Sequence, residues 1–310
     1  TSTTSFLDIK RDDRLTLRGK LDDGFASYAA TLRFAALTTA TDGATPIREL
    51  RDAFAAGVRN GVPEPEASLG VGFVVGQRSA LPADLDEQLK VVGLTHIVVA
   101  SGYNLTILVR FARRLFAKHS RYLAMSISLV LVFTFIAFSG VTPSMVRAGL
   151  VTVLSLLAWY FGRRFHPLLL ILFVAAATSY WNPTYVWADV GWYLSFLAFG
   201  GVLILSPLIS ARIYGERTPP AVMQMIIETV AAELLTLPLI LLTFERIPVF
   251  ALLANMLVGP VIPLAMLATT IVGIVGMTVP SMAGLFGVPA TIIVGYAVAV
   301  VQWLSAVPWA

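Results

Sequence analysis

The sequence predicts an all-α polytopic membrane bundle of about eight spans, two of them broken at mid-membrane, with a short extracellular β/α segment at its N-terminus. Three observations predict it. Apolar residues make up 57% of the 310 and charged residues only 13%, with a mean hydropathy of +0.80, whereas a soluble domain carries about 25% charged residues. From residue 92 onward, apolar windows of roughly span length follow one another. The first of these, VGLTHIVVASGYNLTILVRFARR over 92–114, is interrupted at its centre by Ser101, Gly102 and Asn104. A simple anchor helix has no use for such a break, because an unsatisfied polar group in hydrocarbon costs several kcal/mol. Breaks are tolerated where protein packs on them or water reaches them.

Residues 1–45 read as an extracellular β-rich segment. SFLDIKRDDRLTLRGKL and YAATLRFAAL alternate loosely around a polar turn at Asp22, Asp23 and Gly24, the pattern of a water-facing hairpin. Thr1 is not methionine and no charged n-region precedes an apolar stretch, so the N-terminus reads as truncated rather than processed. Residues 46–91 read as amphipathic helices on the membrane surface. Pro46 suits a helix start, Ile47, Leu50, Phe54 and Val58 share a face, and Gly61 and Pro63 end the run. The apolar stretch 67–76 is too short to span.

Residues 92–310 read as the transmembrane domain. Its apolar windows are 92–116, 122–138, 145–161, 168–181, 190–209, 221–243, 249–277 and 287–307. The seventh is long and broken by Pro260 and Pro263. Breaks at 101–104 and 255–263 make a pair of interrupted spans, the best sequence pointer to a transport site. Arg110, Arg113, Arg114, Lys118 and Arg121 follow the first span, Arg163 and Arg164 the third, Arg212 and Arg217 the fifth. The positive-inside rule makes those loops cytoplasmic and puts both ends of the chain outside.

Polar side chains stand inside or at the edges of these spans: His96, Ser101, Asn104, Arg147, Asp189, Glu228, Glu233 and Asn255. A mid-helix charge costs roughly 2.5–3.5 kcal/mol, so Arg147, Glu228 and Glu233 must face one another or water. Glu228 and Glu233 are five apart, about 140° around a helix, so one is expected to pair with Arg147 and the other to border water. Asp189 stands at a helix start, where a carboxylate caps free N–H groups. Asn255 can satisfy carbonyls freed by the Pro260 break, and His96 reads as a packed histidine. Trp181, Tyr185, Trp187, Trp192 and Tyr193 read as an interfacial aromatic belt, with base-stacking platforms as the sharper alternative.

No cysteine is present, and the three histidines lack zinc spacing, so no metal or cofactor is expected. No G-x-x-x-x-G-K-[ST] loop occurs, so the chain is not its own ATP motor. Ser101 and His96, five apart, diverge on a helix and make a poor nucleophile and base, so an enzyme is not expected.

Several stretches in order resemble the bacterial competence DNA-uptake channel family, ComEC. They are Gly70-Val71-Gly72-Phe73-Val74-Val75-Gly76, Leu81-Pro82, Gly93-Leu94-Thr95-His96 and Ser101-Gly102; Ser144 with Arg147-Ala148, like the family's S-x-x-R-A; Gly191-Trp192-Tyr193-Leu194-Ser195-Phe196, like its GFQLSF; and Ile247-Pro248, Ala254-Asn255 and Pro260. The resemblance spans about residues 46–270, and it departs where the family usually carries histidine for Asn104 and glutamine for Tyr193. It implies passage of single-stranded DNA across the inner membrane into the cytoplasm, along a path lined by His96, Ser101, Gly102, Asn104, Arg147, Glu228, Glu233 and Asn255, with Trp192, Tyr193, Ser195 and Pro260 beside it. It implies as partners the lipid bilayer, a periplasmic DNA-binding receptor, and cytoplasmic ssDNA-binding or motor proteins. It implies too an OB-like outer domain, of which residues 1–45 resemble the end, and often a metallo-β-lactamase-like domain beyond the channel.

The rival reading is a secondary transporter for a small solute, with the broken spans as a midplane site and Glu228 or Glu233 as proton carrier. Both readings share one topology. Single cysteines introduced near Arg163 should resist an impermeant thiol reagent in intact cells, and labelling there would overturn the orientation.

Overall fold

The computed structural model describes residues 14–23, 30–41, 45–76, 81–98, 102–140, 143–163, 166–244 and 250–307. Of the sequence-read features, Gly24, Ser101, Arg164, Ile247, Pro248 and residues 1–13 lie outside that set.

Strands β1 (Arg14–Asp23) and β2 (Ala30–Thr41) pair antiparallel, from Arg14 opposite Thr41 to Asp23 opposite Ala30, with register shifts after Thr16 and Arg18. Helices make up the rest. Before the long spans come α1 (Pro46–Arg59), α2 (Glu66–Val75), α3 (Ala83–Val91) and the single turn α4 (Thr95–Val98). Next are α5 (Gly102–Phe116), α6 (Arg121–Ser139), α7 (Pro143–Tyr160), α8 (Pro167–Trp181) and the short α9 (Thr184–Ala188). A continuous run holds α10 (Val190–Gly200), a π turn (Gly201–Leu205) and α11 (Ser206–Tyr214). Then follow α12 (Ala221–Phe244), α13 (Ala251–Val258), α14 (Ile262–Thr278) and α15 (Ala283–Ser305).

Among the described residues, four helical runs are long and apolar enough to cross a membrane: Arg121–Ser139, Val190–Tyr214, Val222–Thr243 and Pro280–Ser305. The pair α13–α14, bent by 53°, makes a fifth if counted as one span. This is fewer than the eight read from hydropathy. A hydropathy window averages over its charges, so 92–116 scored as one span although α5 carries Arg110, Arg113 and Arg114; residues 99–101, between α4 and α5, lie outside the described set. The windows 145–161 and 168–181 correspond to helices that are apolar but shorter than a full span.

Within the segment 46–91, α2 is enclosed by other helices. Eight of the ten α2 residues are buried, and α2 packs on α14, α15, α1 and α6. It is a core element, short because it is enclosed by protein rather than because it lies on lipid. On α1 the stripe read from spacing is half right: Phe54 and Val58 are buried, but Ile47 and Leu50 are exposed. Glycine contacts set that rotation. A Cβ on Gly276 of α14 would overlap the Gly57 carbonyl, one on Gly287 of α15 would overlap that of Gly61, and one on Gly57 would lie 2.6 Å from the Gly273 carbonyl. Backbones approach this closely only where side chains are absent, so the Gly57 and Gly61 face turns inward and takes Phe54 and Val58 with it.

Glycine sets the π turn as well. A Cβ on Gly201 would overlap the Ala231 carbonyl of α12, and the helical ladder shifts to π pairing at that close approach. Two buried clusters organise the bundle. One runs through α2, α3, α5, α6, α7, α13, α14 and α15, around residues such as Leu69, Leu94, Met145 and Met266. The other joins α1 to α2 and α14 through Phe54, Val58, Val71 and Val272.

Gly276→Ala should therefore destabilise the protein by roughly 1–3 kcal/mol through overpacking, whereas Gly284→Ala, which would meet nothing within 4 Å, should be neutral or slightly stabilising. Thermal unfolding in detergent compares the two.

Candidate functional site

The first interrupted span brings α5 against α2 and α7. Asn104 is fully buried and donates from Nδ2 to the Phe73 carbonyl at 3.1 Å. Phe73 lies in the last turn of α2, where helix carbonyls lack intrahelical partners; the amide at membrane depth thus ties a helix end rather than facing open space. Gly102 lies against α7: a Cβ there would come within 2.7 Å of the Ala148 Cβ. Gly102 is needed for close packing, and a leucine in its place would push α5 off α7 whether or not a path runs past it.

Arg147 on α7 is 1% exposed, and its Nη2 donates to the Gly191 carbonyl at 2.8 Å. Its guanidinium lies 5.9 Å from the Phe196 ring centroid, while Nε and Nη1 have no hydrogen-bond partner. The expected ion pair with Glu228 or Glu233 does not form. The carboxylate that acts on Arg147 is that of Asp189. The physical reason is reach: α7 packs on α8 and α10, whereas both glutamates ride on α12. Asp189 caps α10, its Oδ1 accepting from the Trp192 N–H at 3.1 Å, as read from its position at a helix start.

The aromatic residues divide. Tyr180, Trp181 and Trp187 are 92%, 87% and 87% exposed, as an interfacial belt requires. Trp192 is half-buried, donates from Nε1 to Thr178 Oγ1 at 3.1 Å, and lies 4.6 Å from Phe196 between ring centroids. Tyr193 donates its hydroxyl to the Val186 carbonyl. Ser195, in the middle of α10, is half-buried, and Pro260 is exposed.

The second interrupted span carries Asn255, whose Nδ2 donates to Glu233 Oε1 at 3.0 Å. His96 Nδ1 lies 3.0 Å from the Gly93 carbonyl. Two elements, α12 and α13, meet through Asn255 and Glu233. Glu228 is apart from them and accepts from Gln224 Nε2 at 2.8 Å on its own helix, in keeping with the angular divergence of the two glutamates. Asn255 serves a carboxylate rather than the carbonyls freed by Pro260.

Sequence reasoning missed two features. The Gly191 carbonyl as acceptor for Arg147 has no sequence signal, because any backbone can accept. The stacking of Arg113 over the Trp159 ring at 4.4 Å had only a weak one, a basic residue near a helix end and a tryptophan 46 positions away. Arg110, Arg114, Lys118, Arg121, Arg163, Arg212 and Arg217 are exposed at helix ends and loops. Among the described residues no three His, Asp or Glu side chains converge as metal ligands do.

A family model described as Competence protein matches residues 73–310. No curated protein and no solved structure matches the chain.

Asn104→Leu should cost roughly 1–3 kcal/mol by leaving the Phe73 carbonyl without its donor, visible as a lower melting temperature in detergent. An unchanged melting temperature would mean that the α2 end finds another partner.

Proposed function

The chain belongs to the Competence protein family, and from that membership we propose that it conducts one strand of DNA across the inner membrane into the cytoplasm. The observation that carries the channel reading is Arg147: a guanidinium enclosed by helices, with Nε and Nη1 unfilled and Phe196, itself packed on Trp192, beside it. A strand brings one phosphate per nucleotide, and a planar guanidinium with spare donors suits a passing phosphate. Aromatic faces next to it suit the attached base. Glu228, Glu233, Asn255 and His96 border the same translocation route from α12, α13 and α4.

In this reading the β1–β2 hairpin and α1 stand on the outer side, where DNA arrives from a periplasmic receptor. The exposed Arg110, Arg114, Lys118 and Arg163 lie on the cytoplasmic side, where ssDNA-binding or motor proteins take the strand. The chain moves the strand without transforming it. Its chemistry is binding and release at polar groups held by helices, with the bilayer as its surroundings.

Transformation frequency tests the role of Arg147. Arg147→Lys should lower it, since a point charge cannot reproduce the planar fork. Arg147→Ala should lower it ~10- to 100-fold, the equivalent of a charge-assisted hydrogen bond. The double change Arg147→Met with Asp189→Asn keeps the helix cap and removes the opposed charges together. If Arg147 only balances Asp189, the double variant regains transformation; if it meets phosphate, the double variant stays as poor as Arg147→Ala.

A further inference from the structure

We propose that the outward face of α5 is a binding site for an anionic phospholipid, with Arg110, Arg114 and Lys118 taking the headgroup phosphate and Phe111 and Leu115 taking the acyl chain beside it. The proposal needs only that the bundle sits in a membrane, whatever it conducts.

The argument starts from charge. Between Glu87 and Asp189 the sequence contains no Asp or Glu. Within that stretch α5 and the turn after it carry Arg110, Arg113, Arg114 and Lys118, and α6 opens on Arg121. The helices packed on α5, namely α6, α7 and α14, are free of acidic residues. None of the five cations forms an ion pair among the described residues. The C-terminus of α5 offers them only about half an elementary charge. The balancing charge therefore comes from a group other than the packed neighbours.

The shape of the face says which anion. On α5, Asn104, Leu105, Val109 and Ala112 are buried in the bundle. Arg110 and Arg114, one turn apart, are exposed, and Lys118 is exposed in the turn beyond. Phe111 and Leu115, each 52% exposed, form a second line about 100° further round the same helix. A basic line beside an apolar line is the pattern of a helix face at a bilayer interface, against anionic lipid. A soluble acidic partner would leave Phe111 and Leu115 in water, whereas one phospholipid covers both lines.

Arg113 closes the site toward α7. Its guanidinium lies over the Trp159 ring, 4.4 Å from the centroid, and its Nε has no hydrogen-bond partner. A stacked guanidinium keeps its N–H edge free in its own plane, which suits two phosphate oxygens. A Schellman turn ends α7 at Gly162, and the Arg163 N–H bonds to the Ala158 carbonyl at 2.8 Å. That turn sets a further exposed cation four residues past Trp159.

Thermal unfolding of the full chain in detergent micelles tests the site. The probe is dioleoylphosphatidylglycerol; dioleoylphosphatidylcholine, inorganic phosphate and a single-stranded oligothymidylate are the comparisons. Phosphatidylglycerol should raise the melting temperature by about 3 °C over phosphatidylcholine. The triple change Arg110→Gln, Arg114→Gln and Lys118→Gln should remove most of that rise, and Phe111→Ser with Leu115→Ser should lower it too. Arg217→Gln, beside Glu216 in another loop, should keep it in full. A wild-type melting temperature in phosphatidylcholine reports that a variant is folded; should the triple variant fail that check, Lys118→Gln alone decides, and a full rise in it overturns the site. An equal rise with both lipids, a full rise in the folded triple variant, or a rise matched by phosphate alone would also overturn the proposal. So would stabilisation by the oligothymidylate and none by phosphatidylglycerol, which would assign the face to the strand.

Discussion

Every polar group carried into a membrane must find a partner inside the protein, and the arrangement of this bundle follows from that constraint. Asn104 ends α2 by taking the Phe73 carbonyl, Asp189 starts α10 by taking the Trp192 N–H, and Asn255 takes the Glu233 carboxylate. Each places a short polar side chain where a helix begins, ends or bends. The breaks are junctions at which separate elements are stitched, and removing one stitch leaves the opposite partner unsatisfied at a cost of roughly 1–3 kcal/mol. Some groups are left short. One N–H group of Arg147 is matched and two of its nitrogens are not, and the buried hydroxyls of Ser128 and Ser206 have no hydrogen-bond partner.

A second constraint works through backbone contact. In lipid there is little hydrophobic drive between helices, and small residues that let backbones approach supply the packing. Gly57, Gly61, Gly273, Gly276 and Gly287 do this for α1, α14 and α15. The contact fastens the helix that follows the β hairpin to the C-terminal pair of helices. Any movement of α1 is therefore shared with α14 and α15, and α14 continues from α13, which carries Asn255.

The membrane class, the helical content and the family were legible in composition and in short motifs spread along the chain, because hydropathy and turn residues are local signals. The N-cap at Asp189 was legible for the same reason. The number of full spans was not, since a hydropathy window such as 92–116 averages over Arg110, Arg113 and Arg114 of α5. The burial of α2 and the partners of Arg147 and Glu233 were hidden because they depend on which helices become neighbours. Asn104 and Phe73 are 31 positions apart, Arg147 and Gly191 are 44 apart, and Asn255 and Glu233 are 22 apart. One long-range feature did have a signal: Gly57 and Gly61 are spaced as a small-x-x-x-small pair, the pattern of close helix contact.

The central claim is that a DNA strand passes beside Arg147, between α7 and α10. Photo-crosslinking during transfer tests it most directly. A photoreactive amino acid replaces Phe196, next to Arg147, or Leu285, which is 71% exposed on the outside of the bundle, in cells taking up a strand halted by a bulky 3′ block. The account predicts that the strand crosslinks from position 196 and not from position 285. Equal crosslinking from both positions, or none from 196 while the strand is held in transit, would contradict it.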